Sequence, residues 1–291
     1  MTTATARRGR IQIGLALAAI ALLAFIVSPR AGAATVKSGG LNYVTKSFDL
    51  RPGNPRTTKV PCPKRNQVLG GGHYNSGGFG DVLGIHSYPY DGKDRGKRPD
   101  DGWAAMQRAF GATVPAKVYA ICARVTPDYV KEKMTIPPDG SAKLIEVECP
   151  LNTLSVTSGG SQGPATVREV RANPIGSEWW QSVANRGTKE REVTAFAVCS
   201  TLDTKLAQTG AVVAVPGTQT FAQAQCPADA PHVVGGSLST NFGGTIQGNV
   251  GIAALQPLTI TNPFDGWRSW MDNYNGINMN LFAAAICVPS L

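Results

Sequence analysis

The residues best suited to chemistry gather in one stretch. Between Pro89 and Trp103 runs Tyr90-Asp91-Gly92-Lys93-Asp94-Arg95-Gly96-Lys97-Arg98-Pro99-Asp100-Asp101, with four bases and four acids. Mixed charge interspersed with Gly and Pro cannot bury itself, so this run is predicted to be a solvated loop tip. Its cations Lys93, Arg95, Lys97 and Arg98, together with Tyr90, are the groups that would contact an anionic or polyhydroxyl ligand. Its acids lack the spacing of a calcium loop. Just upstream, His73 and His86 cluster with Tyr74 and Tyr88 and join the candidate contacts. Trp180 and Trp270 are candidate stacking surfaces, since an indole presents a large apolar face with one polar edge.

Catalytic chemistry finds less support. No serine stands in a GxSxG frame. Acids number 19, and the nearest to an apolar run, Glu146 and Glu148, simply precede Cys149. No catalytic residue, cofactor or metal is expected. A hydrolase would need two carboxylates, or a His–Asp pair, brought together by the fold.

Six cysteines supply the second kind of chemistry. There is no CxxC and no His at ligand spacing from a Cys, which argues against zinc. In an oxidising compartment the six are expected to form disulfides. They fall into three brackets: Cys62-Pro63 to Cys122, Cys149-Pro150 to Cys199, and Cys226-Pro227 to Cys287. Each bracket closes on a similar segment, Tyr119-Ala120-Ile121-Cys122, Phe196-Ala197-Val198-Cys199 or Ala284-Ala285-Ile286-Cys287. Pairing within brackets is therefore expected: Cys62–Cys122, Cys149–Cys199 and Cys226–Cys287.

The text that must position these residues is written three times. After each first cysteine comes a glycine cluster: Gly70-Gly71-Gly72, Gly159-Gly160 and Gly235-Gly236. A tryptophan follows at Trp103, Trp179 and Trp267, 19 or 20 residues before the closing cysteine. A fixed order used three times means one supersecondary unit used three times. The closing segments alternate apolar residues on both faces, as central strands covered on two sides do. Glycines inside a strand pattern mark bulges or close backbone approach. The recurring tryptophans are expected in the core. Asn185 and Asn273, six residues after Trp179 and Trp267, have no counterpart in the first unit.

The pattern CPxxxxVxGGG…GW…xxAxC over residues 58 to 289 is similar to one in uncharacterised secreted actinobacterial proteins. The second unit departs from it, with Glu178 before its tryptophan. Three sheet units about a pseudo-threefold axis would resemble, in architecture, the β-prism of vitelline membrane outer layer protein I. The likeness carries no activity with it.

The N-terminus reads as a secretory signal over residues 1–33. Arg7, Arg8 and Arg10 precede an apolar run from Ile11 to Val27, and Ala31-Gly32-Ala33 is a small-x-small cleavage site. An uncleaved anchor is the alternative, and Arg7-Arg8 allows twin-arginine export. The whole chain carries +9, but Arg7, Arg8, Arg10 and Arg30 lie in this segment, so the rest carries +5. That balance is too diffuse to argue for nucleic acid. It suits an anionic extracellular polymer.

The expected fold is all-β, with three homologous disulfide-closed sheet units packed about a pseudo-threefold axis in a β-prism-like body. Three separate small β modules are the alternative. An arm at 34–57 precedes units at 58–125, 143–201 and 219–291. The expected function is that of a secreted, non-catalytic binding or surface protein directed at an extracellular polysaccharide or envelope component. No nucleic acid is expected as partner, and no membrane once the signal is removed. A structural envelope protein without a small ligand is the second reading; a cell-wall hydrolase is the third. Features present in one unit only, above all the stretch after Pro89, are the better functional candidates. The Pro–Trp interval there is 14 residues, against 5 and 4 in the other units.

Overall fold

The computed structural model describes residues 33–92, 96, 98–150, 154–241, 249–259 and 263–291. Apart from Ala33, the expected signal lies outside the described residues, as do Lys93, Arg95 and Lys97. Every regular element among the described residues is a strand. The arm forms β1 (Ala33–Ser38) and β2 (Leu41–Leu50). The first unit holds β3 (Arg56–Pro61), β4 (Gln67–Asn75), β5 (Val82–Tyr90), β6 (Gly102–Ala109) and β7 (Val114–Ala123). A connector forms β8 (Asp128–Ile136). The second unit holds β9 (Ala142–Glu148), β10 (Ser155–Gln162), β11 (Val167–Ile175), β12 (Glu178–Asn185) and β13 (Arg191–Ser200). A second connector forms β14 (Lys205–Gln208) and β15 (Val212–Ala214). The third unit holds β16 (Gln219–Gln225), β17 (His232–Asn241), β18 (Val250–Leu258), β19 (Gly266–Asn273) and β20 (Met279–Val288).

Each unit pairs its strands alike. The second strand joins the fifth, the third joins the fourth, and the fourth joins the first, all antiparallel. The two halves of a unit then enter different walls. Strands β7 and β4 meet β18, β19 and β16 in a first wall. Strands β13 and β10 meet β5, β6 and β3 in a second. Strands β20 and β17 meet β11, β12 and β9 in a third. A bridge between β18 and β5, Ile252↔Gly84, makes the first two walls one 13-stranded sheet, beside the seven-stranded third wall. The joints within walls are single bridges, Leu255↔His73, Ser161↔Ser87 and Ala172↔Leu238. They run in a closed cycle: third unit to first, first to second, second to third. Separate beads are therefore ruled out, because every wall mixes strands of two units. The arm and connectors are absorbed as edge strands, with β2 on β7, β8 on β13, and β14 and β15 on β20.

The disulfides are Cys62–Cys122, Cys149–Cys199 and Cys226–Cys287. Each first cysteine directly follows the strand at the end of one wall, while its partner lies in a strand of the next wall. Every cystine thus clamps a corner between two walls. Sequence separations of 60, 50 and 61 residues place each clasp on the order of 4 kcal/mol in the chain-entropy picture.

The glycines do three jobs. The second strand of each unit carries a bulge, between Val68 and Gly70, Val156 and Ser158, and Val233 and Gly235. Those three bulge positions converge: a Cβ on Gly70 would lie 2.1 Å from the Val234 carbonyl oxygen and 2.9 Å from the Ser158 Cβ. A Cβ on Gly235 would meet the Thr157 carbonyl oxygen at 2.1 Å and the same Ser158 Cβ at 2.9 Å. The next glycine in each unit seats that unit's tryptophan, since a Cβ on Gly71, Gly159 or Gly236 would lie within 2.4 Å of the indole of Trp103, Trp179 or Trp267. A third glycine position, Gly72 and Gly160, lets neighbouring units' backbones touch. Trp103, Trp179 and Trp267 are fully buried, as expected for core residues.

Asn185 and Asn273 lock the connectors onto the units. Asn185 Nδ2 donates to the Ile136 and Lys189 carbonyls at 3.0 and 2.8 Å, and its Oδ1 accepts from Gly187 N. Asn273 Nδ2 donates to the Ala214 and Ile277 carbonyls, both at 2.9 Å, and its Oδ1 accepts from Asn275 N. Both side chains are fully buried. The first unit has Ala109 at this position, so it lacks the lock. Asn273→Ala is expected to cost about 2 kcal/mol or more, because buried backbone carbonyls lose their donor. Chemical denaturation checks it; a loss below about 0.5 kcal/mol, the size of an ordinary surface change, would contradict the account.

Candidate site: a cationic aromatic groove on the second wall

The strand registers set one row of residues across the second wall. Lys59 on β3 pairs with Ala104 on β6, and Ala104 pairs with Tyr88 on β5. Across the Ser87↔Ser161 bridge lies Gly160 on β10, which pairs with Phe196 on β13, which pairs with Lys131 on β8. Alanine and glycine make a low floor. Tyr88 and Phe196 form ribs with ring centres 6.2 Å apart, and they make a small apolar cluster with Ala104 apart from the main core. Lys59 and Lys131 form the rims. Above them lie Asp91, Arg98 and Pro99 from the stretch singled out in the sequence.

The ribs, the rims and the overlying residues border a cavity of about 390 Å³, a size suited to a small ligand or one to two units of a polymer. Tyr90, Tyr129, Lys133, Gln162 and Thr194 complete its lining. Four cations line it, Lys59, Arg98, Lys131 and Lys133, against one carboxylate, Asp91, among the described residues. Lys59 Nζ sits 4.6 Å from the Tyr90 ring centre, an attractive cation–π arrangement. Lys133 pairs with Glu192 at 2.7 Å, with both side chains well exposed, and such a pair contributes little. Burial raises the Tyr88 and Tyr90 hydroxyls above the usual phenol range, with Asp101 adding to the effect at Tyr90. The Tyr129 hydroxyl is also raised, by burial first and then by Asp100 and Asp101. It donates to the Val68 carbonyl at 2.8 Å. All three stay neutral at physiological pH. The groove therefore offers hydroxyl donors, ring faces and positive charge.

The same row is differently dressed on the other walls. At the places of Tyr88, Phe196 and Lys59, the first wall carries Gln256, Tyr119 and Gln223, and the third carries Asn173, Ala284 and Glu146. Among the described residues, this row combines cations and rings in this way only on the second wall, which is also where the long Pro89–Trp103 interval falls.

The other sequence candidates lie elsewhere. His73 and His86 are fully buried. His73 packs over Gly84, where an added Cβ would fall 2.1 Å from its Nε2. Neither of its ring nitrogens has a hydrogen-bond partner. Burial pulls it down to about 4. His86 is likewise lowered by burial to about 4. Its Nδ1 lies 3.0 Å from Ser161 Oγ, and its Nε2 3.3 Å from the Pro164 carbonyl oxygen. Ser161 Oγ also lies 2.8 Å from Glu169 Oε1. Glu169 Oε1 accepts from Ser161 N at 2.7 Å and from Ser87 N at 3.3 Å. Those two amides stand where β5 and β10 separate after a single bridge, so the ladder leaves them unpaired and the buried carboxyl caps them. Burial pushes Glu169 up to about 7. The cluster is a satisfied joint between the first and second units, closed to solvent.

Trp180 is half-buried, and its indole donates to Glu178 at 2.6 Å. Trp270 is half-buried on the first wall beside Phe221. Among the described residues no three His, Cys, Asp or Glu side chains gather as a metal site would require.

Sequence reasoning reached Tyr90 and Arg98 but passed over Lys59, Lys131, Lys133 and Phe196. A signal was present: Tyr129, Lys131 and Lys133 alternate with Val130, Glu132 and Met134, the two-residue period of a strand, interrupted on its inner face by Glu132. It could be used only by knowing that the connector joins β13. No family model matches the chain, and no curated protein matches it.

Proposed function

We propose that this protein is an extracellular, non-catalytic binding protein that holds an anionic envelope polymer in the groove of the second wall. The body is read as three units about a pseudo-threefold axis, with export through the N-terminal signal. The observation that carries the reading is the lining of the groove, four cations and four aromatic rings, a set that the other walls lack among the described residues. Positive side chains supply attraction and sign selectivity, and ring faces stack on the apolar faces of sugars. Asp91 alone among the described lining residues carries a carboxylate; hydrolysis of a glycosidic bond by a pair needs a second one. Three cystines are the usual equipment of proteins in oxidising compartments.

Two immobilised polymers test this, polygalacturonate and poly(glycerol phosphate), which share negative charge and differ in its source. Binding to at least one is expected, weakening as salt rises because exposed charges are screened. The Lys131→Glu/Lys133→Glu variant is expected to lose affinity by about 100-fold, near 3 kcal/mol, with an unchanged melting temperature. Absence of binding to both polymers, or full affinity in the double variant, overturns the proposal.

A further inference from the structure

The first wall carries a ledge that the groove does not explain. Phe221 on β16 pairs with Trp270 on β19, and their ring centres lie 4.7 Å apart. Phe221 is 43% exposed. The guanidinium of Arg268 lies 4.8 Å from the Phe221 ring centre and 5.9 Å from that of Trp270. Its Nε and Nη2 both donate to Gln223 Oε1, at 3.2 and 2.7 Å, which fixes its plane. The register shows that this is decoration. At the Phe221/Trp270 pair the second wall has Thr57/Met106, and the third has Leu144/Ser182.

Beside the ledge is a cavity of about 140 Å³, bordered by Trp270, Tyr74 and Gln219. The Trp270 indole nitrogen is buried and has no hydrogen-bond partner. An orphaned donor of this kind is uncommon and asks for a partner. The exposed Phe221 ring, the half-buried Trp270 ring beside it and a fixed planar cation are parts that can hold a pyranose: its C–H face on the rings, its hydroxyls on the polar rim. One cation, already engaged by Gln223, stands here against four in the groove. The ledge therefore suits an uncharged sugar.

We infer that the first wall bears a second saccharide site, centred on Phe221, Arg268 and Trp270 and selective for a neutral glycan. It lies on a different wall from the groove and does not depend on it. Two soluble probes test it by calorimetry, the β-1,4-linked tetramers of glucose and of N-acetylglucosamine. Wild-type protein binds at least one saturably, in the range of about 1 mM. Phe221→Ala lowers that affinity about tenfold or more and keeps the melting temperature, since the ring is at the surface. The Lys131→Glu/Lys133→Glu variant binds as wild type. No saturable binding of either tetramer overturns the inference, and so does binding that Phe221→Ala leaves intact. Loss of polyanion binding in the groove would leave it standing.

Discussion

Gly160→Ala should leave the chain unable to hold its native state. A Cβ on Gly160 would lie 1.7 Å from the Ser87 carbonyl oxygen. That atom is backbone of the neighbouring unit, at the one bridge joining β10 to β5. No rotamer change relieves it. Either the two units part within the second wall, or β10 shifts and the Glu169 cap over Ser87 N and Ser161 N is lost. The expected cost exceeds about 4 kcal/mol, a value reached by few single substitutions and a large part of ordinary domain stability. Gly111→Ala is the matched control, because nothing lies within 4 Å of its added Cβ and its φ is unstrained. Its effect should stay within about 1 kcal/mol, with a small gain from reduced chain entropy in the unfolded state. Urea titrations of both variants check the pair. Equal stabilities would remove the argument that glycines are there to let units touch.

The second large effect is a pH dependence with two opposed limbs. Glu169 holds its proton more tightly folded, at about 7, than unfolded, near 4.5. Its contribution is full below the unfolded value and is lost as pH rises through about 7. His73 and His86 hold theirs less tightly, at about 4 against 6.5 unfolded. Their contribution is full above the unfolded value and is lost as pH falls towards about 4. Each limb is worth on the order of 3 kcal/mol per group. Glu169→Gln keeps the accepting oxygen and abolishes the first limb. Relative to wild type, it should therefore gain about 3 kcal/mol between about pH 5 and about pH 8. Denaturation at the two pH values measures this, and a difference that does not move with pH sinks it. His73→Leu removes an imidazole with no partner for either ring nitrogen. It should roughly halve the acidic limb, leaving the His86 share, without loss at neutral pH, since a buried unsatisfied group is replaced by one of like size.

The body of the molecule was legible because repetition supplied what one copy could not. Three brackets around the same words identified the cystines, and alternation around Cys122, Cys199 and Cys287 identified the central strands. The tryptophans were expected in the core because they recur at one place and large aromatics are mostly buried; the glycines that seat them came to light only in the fold. What the sequence hid is the exchange of strands between units. Nothing in the text of β5 says that it meets β10 of the next unit at Ser87↔Ser161. Contacts that close over long sequence distances leave no local periodicity. Pairs nearer in sequence are hidden as well: His73 lies over Gly84, and Ser161 reaches Glu169. In each, a side chain on the second strand of a unit fills space according to the third. Both histidines are polar, yet both are buried, His73 over Gly84 and His86 in the joint between the first and second units.

The groove was half legible for the same reason. Tyr90 and Arg98 belong to a stretch whose charge and length set it apart within its unit. Lys131 and Lys133 belong to a connector, Phe196 to a closing strand and Lys59 to an opening one. Only the registers β6–β3, β5–β6, β10–β13 and β13–β8, with the β5–β10 bridge, bring them into one row.

Hydrogen–deuterium exchange with and without saturating polygalacturonate or poly(glycerol phosphate) tests the central claim most directly. Bound polymer should slow exchange along β8, Asp128–Ile136, and through residues 88–92 and 98–102, while β9 and β12 of the third wall exchange as before. Protection confined to the third wall, or none along β8, would contradict the assignment of the groove.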